Sequence, residues 1–206
     1  AQEYFQKALD QDPDFVLAHY DLAVAYRDQG LADRATSEYE KVIALNPRFP
    51  EALSNLGGHY FRQGKIEKAA ELFQRAIEAY PNFIQALSNL GAALNKLGRA
   101  DEALPHLEKA LALDPEFGVA HYNLANALFA LNRLEEAKQT YHRSVQLGVD
   151  FLSLHWKLYE IHARQENPRQ AARELEIILD IDPQNQEARE KLLELRSLPP
   201  LRESPF

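Results

Sequence analysis

The amino-acid sequence predicts an all-α solenoid of antiparallel helix pairs, and three columns of repeated residues support this prediction. Proline, alanine and leucine each recur along the chain with a period of 34 residues. The columns comprise Pro13, Pro47, Pro81, Pro115 and Pro183; Ala1, Ala35, Ala69, Ala103, Ala137 and Ala171; and Leu22, Leu56, Leu90, Leu124 and Leu158. Because three residue types share one period, the chain is a tandem repeat whose units stack on one another.

Each repeat is predicted to contain two amphipathic helices joined by a tight turn. In segment 51–81, apolar residues recur at helical spacing before Gly64 and again after it. Gly64, like Gly30 and Gly98, favours the left-handed backbone conformation that ends a helix. The proline ends the second helix, because the residue before a proline is pushed out of the helical region.

The period divides the chain into one partial repeat, five complete repeats and a final helix. The complete repeats are 16–49, 50–83, 84–117, 118–151 and 152–185. Residues 1–15 are interpreted as the second helix of a partial repeat whose first helix is missing. Residues 186–197 are predicted to form a capping helix, so that the array spans 1–197, and residues 198–206 are predicted to form a C-terminal tail.

The last complete repeat departs from the pattern of the others. Tyr159 stands where the other repeats have alanine or glycine, namely at Ala23, Gly57, Gly91 and Ala125. Val149 replaces the proline between the fourth and fifth complete repeats. We therefore expect altered packing between these two repeats.

The repeated residues resemble the signature of the tetratricopeptide repeat family. The residues that carry this resemblance are Leu56, Gly57, Tyr60, Ala69, Phe73, Ala76 and Pro81. The resemblance covers almost the whole chain. It implies a right-handed superhelix that is stabilised by stacking of neighbouring repeats. It also implies that the first helices line a concave groove in which an extended peptide or protein segment binds.

Composition and charge exclude several classes of function. The chain has 206 residues, a formal net charge of −8 and no cysteine. The lack of cysteine excludes a disulfide framework, a thiolate zinc site and a cysteine nucleophile. The acidic balance disfavours binding to nucleic-acid phosphates, and no apolar run reaches the roughly 18–20 residues that span a bilayer. We expect no nucleic-acid binding, no membrane insertion, and a soluble protein in the cytoplasm.

A column of asparagines is the most informative feature of the first helices. Asn55, Asn89 and Asn123 occupy the same position in three successive repeats, although asparagine inside a helix costs roughly 0.5 kcal/mol relative to alanine. A carboxamide can pair with both the C=O and the N–H of a peptide unit. The column is similar to the asparagine ladder in the tetratricopeptide superhelix of protein O-GlcNAc transferases. The alternatives are that these side chains are merely solvated, or that they descend from one duplicated repeat.

Charged and aromatic residues near this column are further candidates for peptide binding. Arg62 and Lys96 occupy equivalent positions in adjacent repeats and are candidates to meet acidic side chains, unless they are ordinary solvated charges. Tyr122, Phe129 and Trp156 are candidates to form a pocket for an apolar anchor, unless they pack between first helices.

The groove implied by the resemblance is less acidic than the chain as a whole. Its thirty positions hold five basic and four acidic residues, whereas the whole chain has a net charge of −8. Such a groove favours a neutral or mildly acidic partner segment.

A second binding mode of the same family is not expected. Chaperone-binding members hold an acidic C-terminal tail in a two-carboxylate clamp of lysines, asparagines and an arginine. Here Asn123 and Asn126 match only the asparagine pair, and Asn126 is a further candidate for peptide binding. The first lysine of the clamp would fall at Tyr20, Ser54, Ser88, Tyr122 or Trp156, and none of these is lysine.

Catalysis and metal binding are not expected. His19, His121 and His155 occupy a position that is usually given to a bulky packing residue, and they lie in different repeats. The sequence contains no nucleophile motif, no phosphate-binding glycine loop and no HExxH motif. We therefore predict no catalytic residue, no cofactor and no metal.

The predicted function is that of an adaptor that binds an extended segment of a partner protein in its groove. Two alternatives stay open. In the first, the chain is the substrate-recruiting region of a larger enzyme, such as a glycosyltransferase or a hydroxylase. In the second, it is a scaffold that self-associates through its open N-terminal edge.

Overall fold

A computed structural model describes residues 2–149 and 152–197, and within these ranges all regular secondary structure is helical. The helices are α1 (Gln2–Gln11), α2 (Val16–Asp28), α3 (Ala32–Leu45), α4 (Pro50–Arg62), α5 (Ile66–Ala79), α6 (Ile84–Lys96), α7 (Ala100–Leu113), α8 (Gly118–Ala130), α9 (Leu134–Gln146), α10 (Leu152–Arg164), α11 (Pro168–Ile181) and α12 (Gln186–Ser197). The predicted all-α repeat solenoid is confirmed. The predicted C-terminal tail, 198–206, lies outside the described residues.

The two helices of each complete repeat are joined by a three-residue turn with a left-handed central residue. This residue is Gly64 in the second repeat, with a φ of 76°. Equivalent positions hold Gly30 and Gly98, as predicted, but also Asn132 at 59° and Glu166 at 53°. The turn geometry is therefore kept in all five repeats, including the two in which the sequence lacks the glycine.

The second helix of each complete repeat contributes one large side chain to the core. These side chains are Tyr39, Phe73, Leu107, Tyr141 and Leu175, and all are fully buried. Two of them pack against a glycine of the preceding helix. A Cβ atom on Gly57 would lie 2.8 Å from the Phe73 ring, and one on Gly91 would lie 2.5 Å from Leu107. The small residues of the first helices thus allow the close helix approach that the sequence predicted.

Packing changes between the fourth and fifth complete repeats. Contact between α9 and α10 is the least extensive between successive helices in the described part of the chain. Tyr159 packs its ring edge-on to Trp156, with centroids 5.7 Å apart, and both contact the buried cluster that α11 and α12 form. A bulky residue at this position therefore joins the last pair to the final helix.

In the middle of the array, the first helices α4, α6 and α8 approach one another more closely than second helices do. Helix α6 contacts both α4 and α8, whereas extensive contacts between successive second helices are absent from the described ranges. The array therefore curves toward its first helices. We call the exposed surface of α2, α4, α6, α8 and α10 the inner face.

Candidate functional site

The asparagine column runs along the inner face, but its three members have different surroundings. Asn55 on α4 is half-buried. Its Nδ2 donates to the hydroxyl of Tyr20 over 3.3 Å, and its Oδ1 accepts from Nη1 of Arg27 over 3.4 Å. Both bonds are long, so we expect them to exchange readily for a better partner.

Asn123 takes part in the packing between α6 and α8. Its side chain is 7% exposed. Nδ2 of Asn123 donates to the Ser88 hydroxyl over 3.0 Å and lies 3.3 Å from the Ser88 carbonyl oxygen. The backbone carbonyl of Asn123 also accepts from Nδ2 of Asn95 over 2.8 Å. Of the two polar atoms in the Asn123 side chain, Oδ1 has no protein partner in the described structure.

Asn89, in the middle of the column, makes no side-chain hydrogen bond within the described ranges. It is half-buried on α6. Both its donor and its acceptor are therefore available, which is the state that pairing with a peptide unit requires.

Asn126 and Tyr122 contact neighbouring helices. The hydroxyl of Tyr141 donates to Oδ1 of Asn126 over 2.6 Å. The hydroxyl of Tyr122 lies 2.8 Å from the Ser153 hydroxyl, and its ring is 6.1 Å from that of Tyr141. Both predicted binding residues thus also help to join helices.

The remaining aromatic candidates point to different neighbours. The Phe129 ring lies beneath two cations, with Nζ of Lys157 at 4.6 Å and Cζ of Arg164 at 4.8 Å from its centroid. Such contacts hold a cation over the negative face of the ring. Trp156 instead packs against Tyr159 near the final helix. Tyr122 and Phe129 therefore pack against one buried cluster and Trp156 packs against another, and a common pocket for the three stays a prediction.

Arg62 and Lys96 are both exposed at the ends of their helices. Neither forms an ion pair or a hydrogen bond with another described residue. Arg62 folds back along α4, so that a Cβ atom on Gly58 would lie 3.7 Å from its Nη1. Both cations are available to a ligand on the inner face.

Two of the three repeated histidines lie in the core, as predicted, and each is paired with a buried glutamate. Nδ1 of His19 lies 2.6 Å from the Glu38 carboxylate, and Nδ1 of His155 lies 2.8 Å from that of Glu174. The half-buried His121 lies with Nε2 3.0 Å from a backbone carbonyl.

The glutamates of these pairs were not identified from the sequence. Glu38 and Glu174 each follow their histidine by 19 residues, and this shared spacing was the available signal.

The residues that the structure describes contain no group of three or more metal-ligating side chains. None of the helices in 2–149 and 152–197 combines the length and apolarity needed to cross a membrane.

Comparisons with known proteins agree on the fold. YrrB, a tetratricopeptide repeat protein with an unusual peptide-binding site, superposes with a TM-score of 0.75 at 22% identity, covering 96% of this chain and 100% of YrrB. PilF from Pseudomonas aeruginosa superposes with a TM-score of 0.78 at 25% identity, covering 92% of this chain and 86% of the PilF chain. MamA from Desulfovibrio magneticus RS-1 superposes with a TM-score of 0.70 at 21% identity, covering 83% of this chain and 97% of the MamA chain. A search of curated proteins found no match.

Models of one repeat family match most of the chain. Three tetratricopeptide repeat models match residues 4–36, 48–116 and 94–160. Together with the paired helices and the solenoid neighbours, these matches show that the chain belongs to the tetratricopeptide repeat family, whose stacked repeats serve as protein-interaction modules.

Proposed function

We propose that this protein is an adaptor that binds an extended segment of a partner protein along its inner face. The observation that carries the proposal is the state of Asn89, whose half-buried amide has no partner in the described structure. A polar group in such a place is stabilised when a ligand supplies its missing hydrogen bonds. Asn55 and Asn123 lie at the same helix position on either side, so the three amides follow one line.

Backbone pairing gives affinity without a strict sequence requirement, and other residues add preference. Arg62 and Lys96 supply cations that form no ion pair with another described residue, and Phe129 supplies a ring already held beneath two cations. The peptide-binding site of YrrB supports a similar use of this fold. The likeness of the asparagine column to that of protein O-GlcNAc transferases rests on the residues themselves and stays a prediction.

A selection from a library of random linear peptides tests the proposal. Peptides retained by the wild-type chain are titrated against Asn89→Ala and against Gln139→Ala, which removes an exposed carboxamide from second helix α9. We expect Asn89→Ala to weaken binding by about 1–3 kcal/mol, because two hydrogen bonds to the peptide unit are lost. Gln139→Ala should bind like the wild type.

The proposal fails if the selected peptides bind equally well to a double variant with Asn55→Ala and Asn89→Ala. Asn123 is left unchanged in this test, because its bond to Ser88 makes a folding defect hard to separate from a binding defect. The substrate-recruiting alternative uses the same face, so the same titration bears on it.

A second candidate function is self-association through α1. Tyr4 on this helix is 76% exposed, more than any other large hydrophobic residue in the described part of the chain. Sedimentation of the wild-type chain at several concentrations tests this candidate, with Tyr4→Ser as the comparison. Monomeric behaviour at every concentration would rule it out.

A further inference from the structure

A cavity of about 330 Å³ opens between α2, α3 and α4, at the first asparagine of the column. Its first-helix wall contains Arg27, Asn55, His59 and Arg62, and its second-helix wall contains Thr36 and Tyr39. Asn55 therefore belongs both to the proposed peptide-binding column and to the lining of this cavity.

The lining is positively charged within an acidic protein. Two guanidinium groups line the cavity and no carboxylate does, whereas the whole chain has a net charge of −8. Arg27 is neutralised by Asp28, whose Oδ1 lies 2.8 Å from its Nη2. Arg62 has no such partner among the described residues. The cavity thus contains one cation without a counter-charge.

His59 adds no second free charge. Its Nε2 lies 2.7 Å from the side-chain nitrogen of Gln63, and an amide nitrogen can only donate, so this ring nitrogen accepts. Desolvation, followed by the charge of Arg62, lowers the pKa of His59 below its usual value and outweighs the opposing charge of Asp33. His59 is therefore neutral near pH 7, and Arg62 dominates the charge of the cavity.

Tyr39 contributes an unused donor to the cavity. The residue is 1% exposed. The Arg27 guanidinium interacts with its hydroxyl oxygen but can only donate, and no acceptor among the described residues takes the hydroxyl proton. The equivalent hydroxyl of Tyr141 in the fourth complete repeat donates to Asn126 over 2.6 Å. Burial raises the pKa of Tyr39 to about 12, so its hydroxyl keeps its proton. A buried hydroxyl without a partner is destabilising unless something accepts from it.

We propose that this cavity receives the carboxylate of an aspartate or glutamate side chain in the bound segment, with Arg62 and the Tyr39 hydroxyl as its partners. One uncompensated cation and one neutral donor match the single negative charge of a carboxylate. A phosphate carries more negative charge than this lining offsets, since Arg27 is already paired. The inference rests on the proposed function, because Asn55 would hold the backbone of the segment beside the cavity.

The random peptide library tests this inference directly. Peptides retained by the wild-type chain should carry aspartate or glutamate at one fixed position. One such peptide and its counterpart with the corresponding amide residue are then titrated against the wild type, Arg62→Gln and Arg173→Gln. Arg173→Gln removes the same charge from an exposed position on α11.

We expect the difference in affinity between the acidic peptide and its amide counterpart to depend on Arg62 and on Tyr39. The acid-to-amide change should weaken binding to the wild type and to Arg173→Gln about tenfold, and binding to Arg62→Gln far less. Tyr39→Phe should also weaken the acidic peptide more than its amide counterpart, which a purely structural role of Tyr39 would not produce.

The failures of the two proposals are distinguishable. If peptides bind, weaken with Asn89→Ala, and show neither acidic enrichment nor dependence on Arg62, the carboxylate site is wrong and the adaptor proposal stands. If the library yields no peptide sensitive to Asn89→Ala, both are wrong. Tighter binding of a counterpart with phosphoserine at the acidic position would overturn the choice of a carboxylate.

Discussion

The side-chain amide of Asn123 donates a 3.0 Å hydrogen bond to the hydroxyl of Ser88, and so joins the first helices of the third and fourth complete repeats. Ser88 is fully buried, so this bond lies inside the array. Asn89, one repeat earlier in the same column, makes no comparable bond in the described structure. One column of identical residues thus contains a structural member and an available one.

Asn123→Ala should therefore lower the free energy of unfolding by about 1–2 kcal/mol, since it leaves a buried hydroxyl without its donor. Asn89→Ala should leave the free energy of unfolding unchanged or raise it by roughly 0.5 kcal/mol, through better helix propensity. Chemical denaturation of both variants measures this difference. Equal losses of stability would show that Asn89 contributes to packing to the same extent as Asn123.

Adjacent glycines in α4 should respond in opposite ways to alanine. A Cβ atom on Gly57 would lie 2.8 Å from the ring of Phe73, whereas the nearest atom to one on Gly58 is 3.7 Å away. Gly58→Ala should stabilise the protein by about 1 kcal/mol through helix propensity. Gly57→Ala should destabilise it, because overpacking costs about 1–3 kcal/mol and outweighs the same gain.

Thermal or chemical unfolding of these two single variants checks the contrast, and each serves as the control for the other. A gain in stability for Gly57→Ala would show that the Phe73 ring moves aside without cost.

Replacing His155 and Glu174 together should cost much less stability than replacing one of them alone. Glu174 is 5% exposed, so His155→Leu would leave a buried carboxylate without its donor, at a cost of about 3–5 kcal/mol. The second complete repeat holds the buried leucines Leu53 and Leu72 at the two equivalent positions. The double variant with leucine at both positions should therefore lose much less stability than the single variant.

A double-mutant cycle with His155→Leu, Glu174→Leu and their combination measures the coupling between the two residues. Additive losses from the single changes would mean that the two side chains are not coupled, contrary to their 2.8 Å contact.

Stability should fall as the solution becomes more acidic, in part through His162. This residue is 5% exposed, its buried Nδ1 has no hydrogen-bond partner among the described residues, and desolvation lowers its pKa. When the pH falls below about 6.5, the unfolded chain binds a proton that the folded chain resists. The contribution of neutral His162 to the free energy of unfolding is therefore present near neutral pH and is lost on acidification.

His162→Leu removes this contribution and leaves the other histidines in place. The free energy of unfolding of this variant, relative to the wild type, should increase as the pH falls from about 7.5 to about 5.5. A pH-independent difference between the two proteins would contradict the assignment of the effect to His162.

The sequence predicted the fold well, because the fold depends on period. Columns such as Phe73 and Gly57 repeat because each repeat must pack against the next, and this periodicity is visible in one chain. Asn132 and Glu166 show the limit of the pattern. Their turns keep the left-handed conformation although neither residue favours it as glycine does. Here the packing of the flanking helices overrides local preference.

The candidate site was less predictable, because it depends on contacts between repeats. Ser54 has the same position relative to Asn89 as Ser88 has relative to Asn123, on the first helix of the preceding repeat. Only Asn123 donates to its serine in the described structure. Positions along one helix could be assigned from the sequence, but the hydrogen-bond partners could not. The cavity beside Arg62 could not be predicted from the sequence either, because residues of three helices form it.

The sparse contact between α9 and α10 has a consequence for how the array opens. In a solenoid each pair is supported only by its neighbours, so the weakest junction decides where cooperative unfolding is interrupted. We expect the segment from α10 to α12 to open as a separate block while the preceding helices stay folded. Amide hydrogens on either side of this junction would then exchange in two groups with different protection.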